Sequence, residues 1–116
     1  MIKTIICDID GTLIRQEGNC YGQITNKPEI LEGTIEKIYE WEKQNYNIIL
    51  ITGRKESARN ITIKQLESLG IIYDQLIMGV GGGPRILIND LKPGKDFKTA
   101  TAFNLKRNTG IKNVNQ

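Results

Sequence analysis

The chain has 116 residues, a length that suits one compact domain and leaves little room for a second. It contains no histidine, which excludes histidine-based catalytic triads, histidine general bases and histidine-rich zinc sites. Two cysteines, Cys7 and Cys20, are too few for a disulfide framework or a metal cluster. Because the N-terminus has no signal-peptide pattern and no segment approaches the length of a membrane span, we expect one cytoplasmic domain over residues 1–116, without a membrane partner.

Charge is distributed unevenly along the chain, whose net charge is +3. Residues 85–116 carry seven Lys/Arg and two Asp, whereas residues 1–84 carry nine Lys/Arg and eleven Asp/Glu. The basic segment could attract an anionic substrate or a nucleic acid. Since only Phe97 and Phe103 accompany these charges, a solvated face that resists aggregation is the favoured interpretation, and a nucleic-acid partner is not expected.

Strands and helices are predicted to alternate from the N-terminus. Residues 2–9 form a β-branched run without helical period, which predicts a strand buried on both faces. Residues 12–26 are polar and contain Gly18 and Gly22, which is typical of a loop or a small hairpin. An amphipathic pattern over residues 29–45 predicts a helix, and the apolar run at 47–52 predicts a second strand.

The second half of the chain continues this alternation less regularly. Residues 55–69 predict a helix that ends at Gly70, with Ile63, Leu66 and Leu69 facing the core. A third clear strand is predicted at 85–89, and residues 98–105 could form a last strand. The alternation predicts an α/β domain with a mostly parallel sheet.

The strand order around residues 71–84 stays open. If residues 75–78 formed a strand parallel to 85–89, the connection would need a crossover of about a dozen residues. Only residues 79–84 are available, and six residues reach at most about 21 Å when extended.

Polar side chains follow three predicted strands at their carboxyl ends: Asp8 with Asp10, Thr52, and Asn89 with Asp90. Because ligands of parallel α/β sheets bind beyond the carboxyl ends of the strands, we expect these remote positions to meet at one crevice. This convergence is the main functional signal in the sequence.

The residue types at this crevice suit phosphate and magnesium. Asp8 and Asp10 flank Ile9, and like charges so close are costly unless a cation lies near them. Hard carboxylate oxygens favour Mg²⁺. Thr52 and Gly53 stand at a strand-to-helix turn, where a hydroxyl and backbone N–H groups suit a phosphate. Together these parts are typical of in-line phosphoryl transfer.

Three motifs resemble those of the haloacid dehalogenase (HAD) superfamily of phosphohydrolases. DIDGTL at residues 8–13 resembles the first motif, LITGR at 50–54 the second, and ILIND at 86–90 the fourth. The resemblance implies a Rossmann-like three-layer domain with a mostly parallel sheet. Because 41 residues separate Asp10 from Thr52 and a predicted helix uses nearly half of them, no cap domain is expected, and residues 12–26 form only a flap.

The resemblance also implies roles for individual residues. Asp8 would be the nucleophile that forms an aspartyl-phosphate, and Asp10 the general acid and then the base. Mg²⁺, the implied cofactor, would be held by the Asp8 carboxylate, the Asp10 main-chain carbonyl and Asp90. The positions assigned to phosphate binding are Thr52, Gly53, Arg54 and Gly11.

The sequence departs from the family pattern at two points. The small relatives place a cationic Lys near position 80, where this chain has Val80. Lys92 is the first predicted substitute in the catalytic set, followed by Arg54 and Lys55. Arg85 begins a predicted strand and is therefore expected at the opposite end of the sheet. The second departure is Asn89, where many relatives have Asp.

The resemblance extends to short HAD proteins associated with capsule and surface-polysaccharide synthesis. It implies a Mg²⁺-dependent phosphomonoesterase acting on a phosphorylated sugar, polyol or related small metabolite. Two alternatives remain: a catalytically impaired domain that binds a phosphorylated ligand or partner, and, more weakly, a nucleic-acid end phosphatase. A capless site in so small a domain also favours a homo-oligomer.

Overall fold

The computed structural model describes residues 1–94 and 96–115. Three strands form one parallel sheet in the order β1-β2-β3. Their bounds are Thr4–Asp8 for β1, Asn47–Ile51 for β2 and Gln75–Ile77 for β3. Asp8 pairs in register with Ile51, and Ile51 pairs with Ile77, so all three strands end at the same edge of the sheet. The predicted α/β class and parallel sheet are confirmed.

Helices supply the crossovers that parallel pairing requires. They are α1 at Cys20–Thr25, α2 at Thr34–Lys43, a short 3₁₀ helix at Glu56–Ala58 and α3 at Arg59–Ser68. The last two connect β2 to β3, which answers the open question of strand order: residues 75–77 pair with β2. None of the helices in the described part of the chain is long and apolar enough to cross a membrane.

Helix α2 begins five residues later than the prediction of a helix over 29–45. Residues 29–31 instead form an antiparallel contact with residues 13–15. Arg15 N–H donates to the Glu29 carbonyl at 2.8 Å, and Leu31 N–H donates to the Leu13 carbonyl at 2.9 Å. These bonds hold the chain extended, so that the helix begins only after Gly33, which has a φ of +87°.

The core lies mainly against one face of the sheet. The strands contribute Cys7, Ile48 and Leu50 to this core. The helices contribute Ile38 and Trp41 of α2 and Leu66 of α3 to the same buried cluster. On the opposite face Ile6 is 51% exposed. The prediction that the first strand is buried on both faces is therefore wrong, because the face of β1 that carries Ile6 is not covered by the core.

Residues 85–89 do not form the predicted third strand, and residues 98–105 do not form a last one. Every described residue from 81 to 98 is exposed, including Ile86 at 85% and Ile88 at 88%. An apolar, β-branched composition becomes a strand only where a sheet edge pairs with it. The outer edges of β1 and β3 carry no further strand among the described residues, but residues 85–89 pair with neither of them.

The chain returns to the core at its C-terminal end. Ile111 and Val114 are buried. Gly110, with a φ of +82°, passes so close to Glu32 that a Cβ at this position would lie 2.5 Å from the Glu32 carbonyl oxygen. Lys112 Nζ contacts Glu32 Oε1 at 2.9 Å. The C-terminal segment is thus fastened to the connection between β1 and α2.

Candidate active site

Asp8 and Asp10 lie where β1 ends and the chain turns. The residue between them, Ile9, is fully buried, and its carbonyl accepts hydrogen bonds from the next turn, including Leu13 N–H at 2.8 Å. Gly11 takes a φ of +85°, a conformation that L side chains rarely adopt. The turn places both carboxylates at the carboxyl edge of the sheet, as the sequence predicts.

The Asp8 carboxylate is half-buried, and within residues 1–94 and 96–115 it forms one ion pair, with Arg85. Its side chain is 36% exposed, and Arg85 Nη1 lies 3.4 Å from Asp8 Oδ1. Burial raises the pKa of Asp8, while the Arg85 charge and a hydrogen bond from the Ile9 backbone partly offset that rise. The expectation that Arg85 lies at the opposite end of the sheet is wrong, because residue 85 belongs to an exposed segment that reaches back over this edge.

The Asp10 carboxylate is held by three hydrogen bonds. Arg54 donates from Nε to Oδ2 and from Nη2 to Oδ1, both at 2.8 Å, in a bidentate geometry. Gln23 Nε2 donates to Oδ1 at 2.7 Å. The Asp10 side chain is 14% exposed and that of Arg54 is 5% exposed. Arg54, assigned by sequence to phosphate binding, contacts the second carboxylate in this structure.

Three further polar residues hold this arrangement, and sequence reasoning missed all of them. Thr62 and Gln65, on α3, accept hydrogen bonds from Arg54 Nη1 at 2.9 and 2.6 Å. Gln23, on α1, is buried beside them. The signal was present: Thr62, Gln65 and Leu66 share one helix face, so polar residues interrupt the stripe predicted to be apolar. On that helix Ile63, expected to face the core, is only partly buried.

Thr52 and Gly53 follow β2 at the same edge. Thr52 is 1% exposed, and its Oγ1 accepts from Arg54 N–H at 3.1 Å. Gly53 is exposed, and a Cβ there would lie 3.2 Å from the Val80 carbonyl oxygen, so a side chain would crowd the neighbouring segment. The backbone N–H of Gly53 donates to no backbone carbonyl among the residues the structure describes.

The C-terminal segment contacts the turn after Asp10. Asn108 N–H donates to the Gly11 carbonyl at 2.8 Å, and the Asn108 side chain exchanges two hydrogen bonds with the Gln16 backbone, at 2.8 and 3.1 Å. The Arg107 side chain lies beside Gly11, where a Cβ would come within 3.3 Å of Arg107 Cγ. Arg107 is therefore another cation near this turn.

The structure does not bring Asp90 and Lys92 to the two N-terminal carboxylates. Both lie in the exposed segment, where Lys92 N–H donates to Asp90 Oδ1 at 3.1 Å and the Asp90 carbonyl accepts from Thr99 Oγ1 at 2.5 Å. Asn89 likewise donates to the Thr99 carbonyl, at 3.2 Å. Because residues 85–89 form no strand, nothing carries Asp90 to the carboxyl edge of the sheet. Arg85 occupies the position beside Asp8 that sequence reasoning gave to Lys92.

The oxygen atoms at this edge suit a Mg²⁺ ion that shares its coordination with substrate. The half-exposed Asp8 carboxylate is one hard ligand. The Asp10 carbonyl accepts no backbone hydrogen bond in the described part of the chain and is a second. No group of three acidic, cysteine or histidine residues that could hold a metal occurs within residues 1–94 and 96–115. Mg²⁺ commonly binds through one or two protein oxygens, water and substrate phosphate, which these residues can support.

Comparisons with known proteins bear on the same region. A family model described as haloacid dehalogenase-like hydrolase matches residues 5–79. This range contains β2, β3, all of β1 except Thr4, and both carboxylates. No curated protein matches the chain.

Two solved structures are similar in fold and sequence. One, titled "Structure of Pnkp1/Rnl/Hen1 complex", is 30% identical with a TM-score of 0.60, covering 72% of this chain. The other, titled "Structure of the Pnkp1/Rnl/Hen1 RNA repair complex", is 32% identical with a TM-score of 0.59, covering 66% of this chain. The match spans only 30% and 25% of the respective chains in those structures.

Proposed function

This chain belongs to the haloacid dehalogenase-like hydrolases, and from that premise we propose that it is a Mg²⁺-dependent phosphomonoesterase with Asp8 as its nucleophile. The observation that carries the proposal is the contrast between the two carboxylates of one turn. Asp8 is half-exposed beside one arginine, whereas Asp10 is fixed by three hydrogen bonds. A free carboxylate next to a fixed one is the arrangement that nucleophilic attack with assisted proton transfer requires.

The proposed reaction has two displacements. An Asp8 carboxylate oxygen attacks the phosphorus atom, the bond from phosphorus to the leaving oxygen breaks, and Asp10 gives that oxygen a proton. Water then attacks the phosphorus of the aspartyl-phosphate while Asp10 takes the proton back, which releases inorganic phosphate and restores Asp8. The contacts with Arg54 and Gln23 fix the position of the Asp10 carboxyl, and one of its oxygens must release a donor before it carries the transferred proton.

Charge on the transferring phosphoryl group needs neutralisation. Arg85, at 3.4 Å from Asp8, is the best-placed cation for this role in the described chain. The exposed Gly53 N–H and the turn at Gly11, with the Thr52 hydroxyl behind them, are proposed to bind phosphate oxygens. Bound Mg²⁺, held by the Asp8 carboxylate and the Asp10 carbonyl, would supply further neutralisation of phosphate charge. The role of Asp90 as a further Mg²⁺ ligand stays a prediction.

The proposed substrate class rests on the resemblance to short HAD proteins associated with surface-polysaccharide synthesis, and the site itself is open. No cap covers the edge of the sheet within the described residues, and the flap contributes only the six-residue helix α1. We propose a phosphorylated sugar, polyol or related small metabolite as the first class to test. A homo-oligomer, in which a neighbouring subunit shields the open site, stays part of the proposal.

A second candidate is a phosphatase of nucleic-acid ends. Two observations favour it: the similar solved structures include one titled as an RNA repair complex, and residues 85–116 have a balance of seven basic to two acidic residues. Arg85 and Arg107 bring two of those charges to the turn that carries the carboxylates. A polyanionic chain could follow this basic surface while its terminal phosphate reaches Asp8.

Phosphate release from two substrate panels tests the proposal. Small phosphomonoesters and oligonucleotides bearing 5′- or 3′-terminal phosphate are compared with Mg²⁺ and with chelator. Asp8→Asn is expected to abolish release, whereas Asp96→Asn, the same change at an exposed position, is expected to leave it unaltered. Release that survives Asp8→Asn contradicts the mechanism. Absence of release in the wild type, with stabilisation by a phosphorylated ligand, favours a binding domain instead.

A further inference from the structure

Four polar side chains are buried together between α1, α3 and the turn after β2. Their residues are 9% exposed for Gln23, 8% for Arg54, 0% for Thr62 and 7% for Gln65. A buried polar group is unfavourable unless it is hydrogen-bonded, so such a cluster must be satisfied internally. An apolar residue at position 65 would fill the helix face without that requirement. The presence of glutamine there therefore needs an explanation beyond packing.

Arg54 is fixed from both sides of its guanidinium group. One side, Nε and Nη2, holds Asp10. The remaining nitrogen, Nη1, donates to Thr62 Oγ1 at 2.9 Å and to Gln65 Oε1 at 2.6 Å. Because the guanidinium group is planar and rigid, the acceptors behind it set the direction in which its front pair of N–H groups points. The side chains of α3 thus determine where Arg54 holds the Asp10 carboxylate.

The amide of Gln65 also fastens the flap. Gln65 Nε2 donates to the main-chain carbonyls of Gln23 at 3.2 Å and Ile24 at 3.4 Å, both in α1. The Gln23 side chain in turn donates to Asp10 Oδ1 and to the Arg15 carbonyl, each at 2.7 Å. The contacts form a closed ring: Asp10 to Arg54, Arg54 to Gln65, Gln65 to α1, and α1 back to Asp10 through Gln23.

We propose that Gln65 is a positioning residue, which aligns Arg54 on Asp10 and at the same time fixes α1 against α3. The inference rests on the proposed function, in which Asp10 transfers protons. Within the described residues Gln65 makes no hydrogen bond to either carboxylate, and it acts through Arg54 and Gln23. A fully satisfied buried network of this kind holds its members rigidly, which a proton-transfer group requires.

Steady-state kinetics of Gln65 variants test the role. Gln65→Met removes the acceptor for Arg54 and the donor for α1, and we expect kcat to fall about 10-fold with KM within about 2-fold, because misalignment affects the transition state more than ground-state binding. Gln65→Glu keeps an acceptor for Arg54 and is expected to recover most of kcat. Gln75→Met, at an exposed position on β3, is the matched control and should retain wild-type kcat.

Two kinetic results would overturn the proposal: an unchanged kcat in folded Gln65→Met, or a Gln65→Glu variant as impaired as Gln65→Met. Thermal unfolding of each variant shows whether the protein is folded at the assay temperature. If Gln65→Met does not fold, Thr62→Val replaces it, because it removes the other acceptor of Arg54 Nη1 with almost no change of shape. A kcat loss in folded Thr62→Val is expected, and an unchanged kcat there would equally overturn alignment through Arg54.

A measurement without turnover separates this inference from the proposed function. In ¹⁵N spectra of arginine side chains, the Nε–H of Arg54 reports its hydrogen bond to Asp10. We expect this signal to shift and to exchange faster with water in Gln65→Met but not in Gln75→Met. If the wild type hydrolyses no phosphomonoester but the Arg54 signal still shifts in Gln65→Met, the proposed function fails, whereas the role of Gln65 in positioning Arg54 is supported. An unmoved signal in folded Gln65→Met overturns the positioning, whatever the activity.

Discussion

The two carboxylates that flank Ile9 differ in almost every physical respect. Asp8 is 36% exposed, and its neighbours are one arginine at 3.4 Å and the Ile9 backbone N–H. Asp10 is 14% exposed and accepts three hydrogen bonds of 2.7 to 2.8 Å from residues of two other elements. One turn thus presents a carboxylate that is free to react and another that is held in place. Identical side chains acquire different chemistry from their partners alone.

The contrast extends to the segments that supply those partners. Asp10 is held by Gln23 of α1 and by Arg54 of the turn after β2, and Arg54 is in turn bonded to α3, which packs on the core through Leu66. Asp8 is faced by Arg85, which lies in an exposed segment without regular structure. The neighbour of Asp8 can therefore move when substrate arrives, whereas the neighbours of Asp10 cannot move without disturbing the core.

The largest expected effect comes from removing the bonds that Arg54 makes to Asp10. Arg54→Met would leave the Asp10 carboxylate without its ion pair and two buried acceptors, Thr62 Oγ1 and Gln65 Oε1, without their donor. We expect the free energy of unfolding to fall by about 3–5 kcal/mol. Denaturant unfolding measures it. Arg59→Met is the control, because Arg59 pairs with Glu56 at the surface, where ion pairs contribute little. If Arg54→Met lowered the free energy of unfolding no more than Arg59→Met does, the stabilising role of the buried Arg54–Asp10 pair would be contradicted.

The second-largest effect is expected from Arg85, the cation beside Asp8. Arg85→Met is expected to lower kcat roughly 100-fold, because the charge that neutralises Asp8 and the phosphate is lost, while the unfolding free energy changes little. Lys92→Met provides the comparison, since sequence reasoning assigned this role to Lys92. A larger kcat loss in Lys92→Met than in Arg85→Met would show that the exposed segment rearranges when substrate binds and that the sequence-based assignment is right.

A smaller effect is expected from the contact that holds the shared turn. Asn108 has a φ of +64° and makes two side-chain hydrogen bonds to Gln16. Asn108→Ala loses both bonds in a left-handed conformation, and we expect about 2 kcal/mol less stability. Asn108→Gly loses the same bonds but adopts this conformation freely, so it should be the more stable of the two. Equal stability of the two variants would show that backbone strain contributes nothing there.

The smallest effect is a pH dependence of stability that belongs to Asp8. Because its folded pKa is raised above the ordinary value of 3.8, ionised Asp8 opposes folding, and its contribution improves as pH falls through that raised pKa. Asp8→Asn should therefore be more stable than the wild type at about pH 7, with the advantage disappearing towards about pH 4. Unfolding in the presence of chelator tests this sign, with Asp96→Asn as reference. A destabilised Asp8→Asn at neutral pH would contradict it.

The parts of the fold that depend on local pattern could be predicted from sequence. The apolar runs that became β1 and β2, and the turn at Gly11, follow from composition and backbone preference over a few residues. The segment at 85–89 has the same apolar composition, yet it becomes a strand only if the path of the chain lays it along a sheet edge, which does not happen here. No local pattern contains that information.

The site was predictable to a similar extent. Asp8, Asp10 and Thr52 could be placed at one edge because parallel strands end together. Arg85 was misplaced because its position depends on the path of a loop. Gln23 and Gln65 were missed because a buried glutamine has no sequence signature except as an interruption of an apolar helix face. The contacts that could not be predicted are those that Gln23 and Gln65 make to Asp10 and Arg54, because they join elements that are remote along the chain.

The most direct test of the central proposal is detection of the phosphorylated enzyme. The protein is mixed with a phosphomonoester that it hydrolyses, quenched in acid within one turnover, and its peptides are analysed by mass spectrometry. We predict one added phosphoryl group on the peptide that contains Asp8, sensitive to hydroxylamine as an acyl phosphate is, and absent in Asp8→Asn. A phosphoryl group on another residue, or hydrolysis with no trapped intermediate even in an Asp10→Asn variant that slows its breakdown, would contradict nucleophilic attack by Asp8.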